Sequence, residues 1–281
     1  MPGTASAKKA SESEAKHAAA DGGGPHLQVR GVQKSFGDTQ VLTDVNMSIG
    51  RGHIAVIIGG SGAGKTTLLR ILIGLERPTA GSVEISGQDI AQLSDRELNS
   101  MRRKFGMVFQ YSALLDSMNV LDNVAFPMRE HTDLSEKEIK DQVTEKLNSL
   151  GLENVEKRFP SQLSGGMRKR VALARALMLE PEVIMYDEPT SGLDPVTSRM
   201  VDDMIVETRD KFGVTSVIIS HDMVGALQIA DEIYLLSKGS IVASGSPQEL
   251  VRGDNELLHQ FLQSSGVTAM PGAAEKLAKG D

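Results

Sequence analysis

Ile54-Ala-Val-Ile-Ile-Gly-Gly-Ser-Gly-Ala-Gly-Lys-Thr66 decides how the rest of the chain is read. The run Ile54 to Ile58 has no polar face, as expected of a central parallel strand covered on both sides. A glycine-rich turn follows and leads into a helical pattern from Lys65 to Ile73, so the order is strand, loop, helix. Glycines allow backbone N–H groups to converge on a polyanion, and the helix N-terminus adds the positive end of its dipole. Lys65 can reach terminal phosphates, and the Thr66 hydroxyl can ligate Mg²⁺. Gly59, Gly60, Ser61, Gly62, Ala63, Gly64, Lys65 and Thr66, with Thr67 beside them, are therefore the candidate nucleotide loop. The bland alternative, a flexible glycine turn that carries a lysine, does not need the strand before it or the helix after it.

Outward from the loop, Leu27 to Arg30 and Val41 to Ile49 read as strands. Val45, Met47 and Ile49 alternate with Asp44, Asn46 and Ser48, which predicts one buried and one wet face. Gly74 is placed to cap the first helix, Pro78 follows, and Ser82 to Ser86 returns as a short strand. From about residue 92 to 180 the character is mainly helical. Ser135 and Glu138 form a capping box ahead of the stripe Ile139, Val143, Leu147 and Leu150, and Gly151 ends that helix. A further helix starts near Ser164 and stops before Pro181. Buried strands at Val183 to Tyr186 and Val214 to Ile219, with a helix between them, follow βαβ logic and imply a parallel sheet. Ile233 to Leu236 and Ile241 to Ala243, joined through Lys238-Gly239, read as a closing hairpin. There is no internal repeat.

The first 25 residues, mostly Ala, Ser, Lys, Glu and Gly, are expected to be a disordered tail without the apolar core of a secretory signal, and the residues after about 264 a second polar tail. With 40% apolar residues the remainder can bury a full-sized core. A net charge of -7 without a long basic run argues against a nucleic-acid-coating protein. The absence of cysteine removes disulfides, thiolate metal sites and a cysteine nucleophile. No uncharged apolar stretch approaches ~18 residues, so a membrane role requires a partner that spans the bilayer.

Val183-Ile-Met-Tyr-Asp-Glu188 brings two carboxylates to the C-terminal end of a buried strand, where ligands sit in open α/β sheets. Adjacent strand residues point to opposite faces, so the two acids are expected to divide the work. Asp187 suits Mg²⁺ anchoring, and Glu188 suits general-base activation of the attacking water. Alone, such a pair is more often a solvated strand end; the phosphate loop reverses that. Leu163-Ser-Gly-Gly-Met167 precedes a helix and reads equally as an ordinary cap or as a second anion site.

The combination resolves that choice. Phosphate loop, Gln110 after the strand Phe105 to Phe109, Ser164 placed 23 residues before Asp187, Ser191-Gly-Leu-Asp194, and His221 after Val217 to Ser220 together resemble an ATP-binding-cassette (ABC) nucleotide-binding domain over roughly residues 27 to 262. The resemblance implies an α/β fold: a phosphate-loop NTPase core with a mostly parallel sheet, an antiparallel β subdomain and a helical subdomain at about 92–180, the whole domain spanning 26–264. It implies that Phe36 stacks on adenine, that Gln110 senses Mg²⁺ and the attacking water, and that His221 contacts the γ-phosphate. Ser164, Gly165 and Gly166 would meet the nucleotide held by a second subunit, most simply another copy of this chain. Met167 departs from the commonest family pattern, which has Gln there, and cannot donate a hydrogen bond.

The segments 163–170, 186–195 and 117–130 further resemble the ATPases of Mla/Mce-type phospholipid transporters. That likeness implies ATP and Mg²⁺ as cofactors, an integral membrane permease and accessory lipid-transport subunits as partners, no nucleic acid, and residence at the cytoplasmic face of a bacterial inner membrane. An ABC ATPase for another cargo, and a non-transport ABC ATPase acting on nucleic acid or ribosomes, are the alternatives. The apolar residues Met118, Val120, Leu121, Val124, Phe126 and Met128 are expected to divide between core and a permease-docking surface.

Overall fold

The computed structural model describes residues 24–252. Both tails expected from the sequence, apart from Gly24 and Pro25, and the domain boundary at 264 lie outside these residues. The strands are β1 (Leu27–Phe36), β2 (Thr39–Ile49), β3 (Ile54–Ile58), β4 (Ala80–Ile85), β5 (Gln88–Asp89), β6 (Phe105–Phe109), β7 (Val183–Asp187), β8 (Thr215–Ser220), β9 (Glu232–Ser237) and β10 (Ser240–Gly245). The helices are α1 (Lys65–Leu72), α2 (Asp95–Arg102), α3 (Val120–His131), α4 (Glu136–Ser149), α5 (Gly165–Leu177), α6 (Pro195–Phe212), α7 (Met223–Ile229) and α8 (Pro247–Arg252).

Among the described residues the strands run in the order β5-β4-β1-β2-β10-β9-β3-β8-β7-β6. The half from β9 to β6 is parallel throughout, and β1, β2, β4 and β5 pair antiparallel. The expected α/β fold with its mostly parallel core is therefore observed. β3 shows why its sequence lacks a polar face. Ala55 and Ile57 pack with the antiparallel strands and α1, whereas Ile54, Val56 and Ile58 pack with residues of α5, α6 and α7 on the other side.

Within 92–180 the strand expected at Phe105 to Phe109 is present as β6 and pairs in parallel with β7. A separate apolar cluster follows, in which Val120, Val124 and Met128 of α3 meet Ile139, Val143 and Leu147 of α4 and Val171 and Ala174 of α5. The capping box is present, with Ser135 Oγ accepting from the Glu138 amide at 3.4 Å and Glu138 accepting from the Ser135 amide at 2.8 Å. Lys238 and Gly239 have φ of 47° and 81°, the left-handed pair that a tight β9–β10 hairpin requires.

Register then fixes the working edge. Ile58 pairs with Ser220, Ile219 with Asp187, and Asp187 with Phe109. The next residues along these four neighbouring strands, Gly59, His221, Glu188 and Gln110, therefore emerge side by side at one carboxyl edge.

Candidate functional site

The phosphate loop is sealed behind and open in front. A Cβ on Gly59 would lie 2.4 Å from the Leu236 carbonyl oxygen, and one on Gly64 would lie 2.7 Å from Leu42 Cδ2. At Gly60 and Gly62 nothing stands within 4 Å of that position. Gly64 has φ of 106° and precedes α1 without any side-chain cap, whereas α2 through α7 are capped by Ser94, Asn119, Ser135, Ser164, Asp194 and Asp222. The first amides of α1 are thus left for an external acceptor, the arrangement that suits a phosphate. Lys65 Nζ donates to the Gly59 carbonyl at 2.7 Å and the Gly60 carbonyl at 3.3 Å, and lies 3.8 Å from Glu188 Oε1. These residues fit a nucleotide triphosphate.

Asp187 ends β7, but Glu188 lies beyond the strand with φ of 48°, its amide donating to the Ile219 carbonyl at 2.8 Å. Strand alternation therefore does not govern the pair, which corrects the expectation of opposite faces. Holding a non-glycine residue there costs roughly 1–3 kcal/mol. The turn instead aims Glu188 Oε2 at His221 Nδ1, 2.6 Å away. Burial first, and the Glu188 charge second, hold the Asp187 carboxyl above its ordinary range, with Lys65 opposing both. A carboxylate in that condition favours a nearby cation.

Gln110 follows β6; its side-chain amide donates to the Tyr111 hydroxyl at 3.3 Å. The next turn is held by Arg175 of α5, which donates to the carbonyls of Ala113 at 2.8 Å and Ser112 at 3.0 Å. Ser164 caps α5 by accepting from the Met167 amide at 3.3 Å, and Gly165 and Gly166 are open where a Cβ would point. The Met167 side chain packs against the α3–α4 cluster, which gives an apolar residue a place at that position. Among the described residues no hydrogen bond joins Ser164, Gly165 or Gly166 to the phosphate loop. Phe36, at the end of β1, is 47% exposed, and Lys34 Nζ lies 4.8 Å from its ring centroid.

Two features escaped the sequence reading. Lys169 is buried on α5, and Asp202 of α6 is buried opposite Asp222, both carboxylates lying 3.0 Å from where a Cβ on Gly225 would sit. Burial, with the Asp222 charge adding to it, pushes the Asp202 carboxyl up to about 7. No residue pattern announces either, since lysine and aspartate on helices are usually solvated.

A family model described as "ABC transporter" matches residues 42–191. The chain is 42% identical over 253 residues to the "Probable ribonucleotide transport ATP-binding protein mkl" of Mycobacterium leprae, covering 90% of this chain and 73% of that one. It is also 42% identical over 236 residues to the "Intermembrane phospholipid transport system ATP-binding protein MlaF" of Escherichia coli, covering 84% and 88%. Among solved structures it is similar to cbiO1 of Clostridium perfringens, part of the ABC transporter complex cbiONQ, with TM-score 0.76, 30% identity and coverage of 85% and 95%. The ATP-binding cassette MJ0796, in a dimeric post-hydrolysis state bound to ADP and Pi, superposes with TM-score 0.69 at 33% identity, covering 79% of this chain and 98% of that one.

Proposed function

Since the chain belongs to the ABC transporter family and is an ATPase, we propose that it powers intermembrane phospholipid transport through a separate membrane permease. The observation that carries the cargo is the 42% identity to a phospholipid-transport ATP-binding protein across 88% of that protein's length. Equal identity to a protein named for ribonucleotide transport supports a second reading, in which the same motor serves a different cargo.

In either reading the chemistry is the same. Lys65 and the open amides of the loop hold the terminal phosphates, while Thr66, Asp187 and Gln110 are the ligands and sensor for Mg²⁺. Mg²⁺ held by these residues would supply neutralisation of the charge on the phosphates. Glu188 takes the proton of the attacking water, and His221, bonded to it, orients that carboxylate and reaches the γ-phosphate. Phe36 offers an exposed ring for the adenine. Ser164, Gly165 and Gly166 serve the nucleotide of a second copy, in keeping with a dimeric structural relative.

No helix among the described residues is long and apolar enough to cross a membrane. In the proposed reading the chain works at the cytoplasmic face of a bacterial inner membrane, bound to a permease, with accessory lipid-transport subunits as further partners. The docking face is built around Gln110. Phe109 and Tyr111, its chain neighbours, and Leu115, Phe126 and Phe159 further along are large apolar residues left exposed. Asn123, fully buried, keeps this segment in shape by donating to the Leu115, Met118 and Asn119 carbonyls at 3.0 Å each. A rigid apolar surface joined to a nucleotide sensor suits a partner that must follow ATP state.

Purification of the complex from detergent-solubilised membranes tests this. A co-purifying permease, bound phospholipid and ATPase stimulated by phospholipid are the expected results. Stimulation by ribonucleotides without bound lipid would favour the second reading.

A further inference from the structure

We propose that Lys169 is a positioning residue for hydrolysis, through which α5 sets the main chain on both sides of the catalytic centre. Lys169 is 6% exposed, and its Nζ donates to the carbonyl of Gln110 at 3.3 Å and to that of Pro189. Gln110 is the residue after β6, and Pro189 is the residue after Glu188. A single ammonium therefore ties together the helix that begins at the Ser164-Gly-Gly166 turn, the Gln110 sensor of Mg²⁺ and the attacking water, and the turn that aims the base.

The cation is where packing alone would not put one. Burial holds its ammonium below the usual lysine range, and among the described residues it has no carboxylate partner to restore it. An apolar side chain would fill the same space at less electrostatic cost. What lysine adds is the pair of bonds to carbonyls in two loops. Arg175, further along α5, repeats the device on one side, gripping Ser112 and Ala113, which have φ of 63° and 46°. Lys169 reaches both sides, including the strained Glu188 turn. A shift of α5, as when its N-terminus engages a second copy's nucleotide, is then transmitted to Gln110 and Glu188 of its own subunit. The inference rests on the roles given above to Gln110, Glu188 and the Ser164 turn.

The test uses the full chain carrying Lys169→Met, which keeps the reach but removes the donors, or Lys169→Gln, which keeps an amide donor. Steady-state kcat and KM, MgATP affinity by calorimetry, and melting temperature are measured for each. Misplacing catalytic groups by a fraction of an ångström predicts a fall in kcat of about 10- to 100-fold for Lys169→Met, with MgATP affinity unchanged. Lys169→Gln should recover part of kcat. A folded Lys169→Met protein with wild-type kcat overturns the proposal. So does a loss of kcat matched by equal losses of affinity and melting temperature, which marks a merely structural lysine. If Lys169→Met does not fold, Lys169→Gln decides, since its shorter amide cannot serve both carbonyls as the ammonium does: a folded Lys169→Gln protein with wild-type kcat overturns the proposal. Glu188→Gln assayed alongside keeps the two readings apart, since wild-type turnover there removes the base assignment and leaves the Lys169 kinetics to be judged on their own.

Discussion

His221 Nδ1 and Glu188 Oε2 stand 2.6 Å apart although 33 residues separate them, because each begins a loop at the end of adjacent parallel strands. One hydrogen bond joins the two groups, so their removal should be non-additive. His221→Ala and Glu188→Gln are each expected to lower kcat, and the double variant should lose far less than the product of the single losses. A multiplicative double-variant cycle would separate the two roles.

Glu188→Gln is expected to leave MgATP binding intact while lowering turnover by roughly 10²–10⁴, because an amide keeps the shape and cannot accept the water proton. ATP that is not hydrolysed continues to bridge two copies. Light scattering with MgATP should show a mass doubling that persists, and wild-type turnover would refute the general-base role.

Lys65→Ala removes a cation held 2.7 Å from the Gly59 carbonyl at the mouth of the loop. Loss of a charge-assisted contact predicts MgATP binding weaker by roughly 10- to 100-fold. Undiminished binding in a calorimetric titration would contradict the phosphate assignment.

Tyr111→Glu and Phe126→Glu place charge on side chains that are 85% and 42% exposed. Both variants should fold and bind nucleotide, and both should lose the permease. Met128 is 3% exposed and belongs to the α3–α4 core, so Met128→Glu should instead lower the melting temperature by burying a charge. Complex assembly unimpaired by both surface charges would dispose of the docking face.

Two carboxylates give stability opposite pH dependences. Lys104 chiefly, with His26 and Ser86, draws the Glu182 carboxyl from 4.5 down to about 2, so its contribution is present above pH 4.5 and is lost as pH falls toward 2. Burial and Asp222 raise Asp202 from 3.8 to about 7, with Asp203 adding to this and Arg199 opposing it. Its folded pKa is the higher one, so its contribution is present below pH 3.8 and is lost as pH rises through about 7. Glu182→Gln should flatten the acid limb of melting temperature against pH, and Asp202→Asn should raise the melting temperature at pH 8. An unchanged profile in either variant would contradict the corresponding assignment.

The sequence by itself determined the elements and the chemical inventory. The unbroken apolar run of β3 read as a strand covered on both faces, the glycines before Lys65, set between strand and helix, read as a turn that approaches a phosphate rather than a merely flexible one, and Ser135 with Glu138 marked a helix start that side-chain bonding then made. These are local or periodic properties, set within a few residues by sterics and by which face must leave water.

Tertiary structure decided which of those residues meet. Parallel register delivers Gly59, His221, Glu188 and Gln110 to one edge from positions spread over more than half of the chain, and no local spacing encodes register between distant strands. It also moved Glu188 out of the strand into a left-handed turn, overriding the alternation that sequence implied, and it divided the apolar residues of α3 into a buried Met128 and an exposed Phe126. Lys169 is the clearest case. A lysine on a helix is ordinarily solvated, and only the packing of α5 beneath two loops turns it inward, where the Gln110 and Pro189 carbonyls replace the water it has lost.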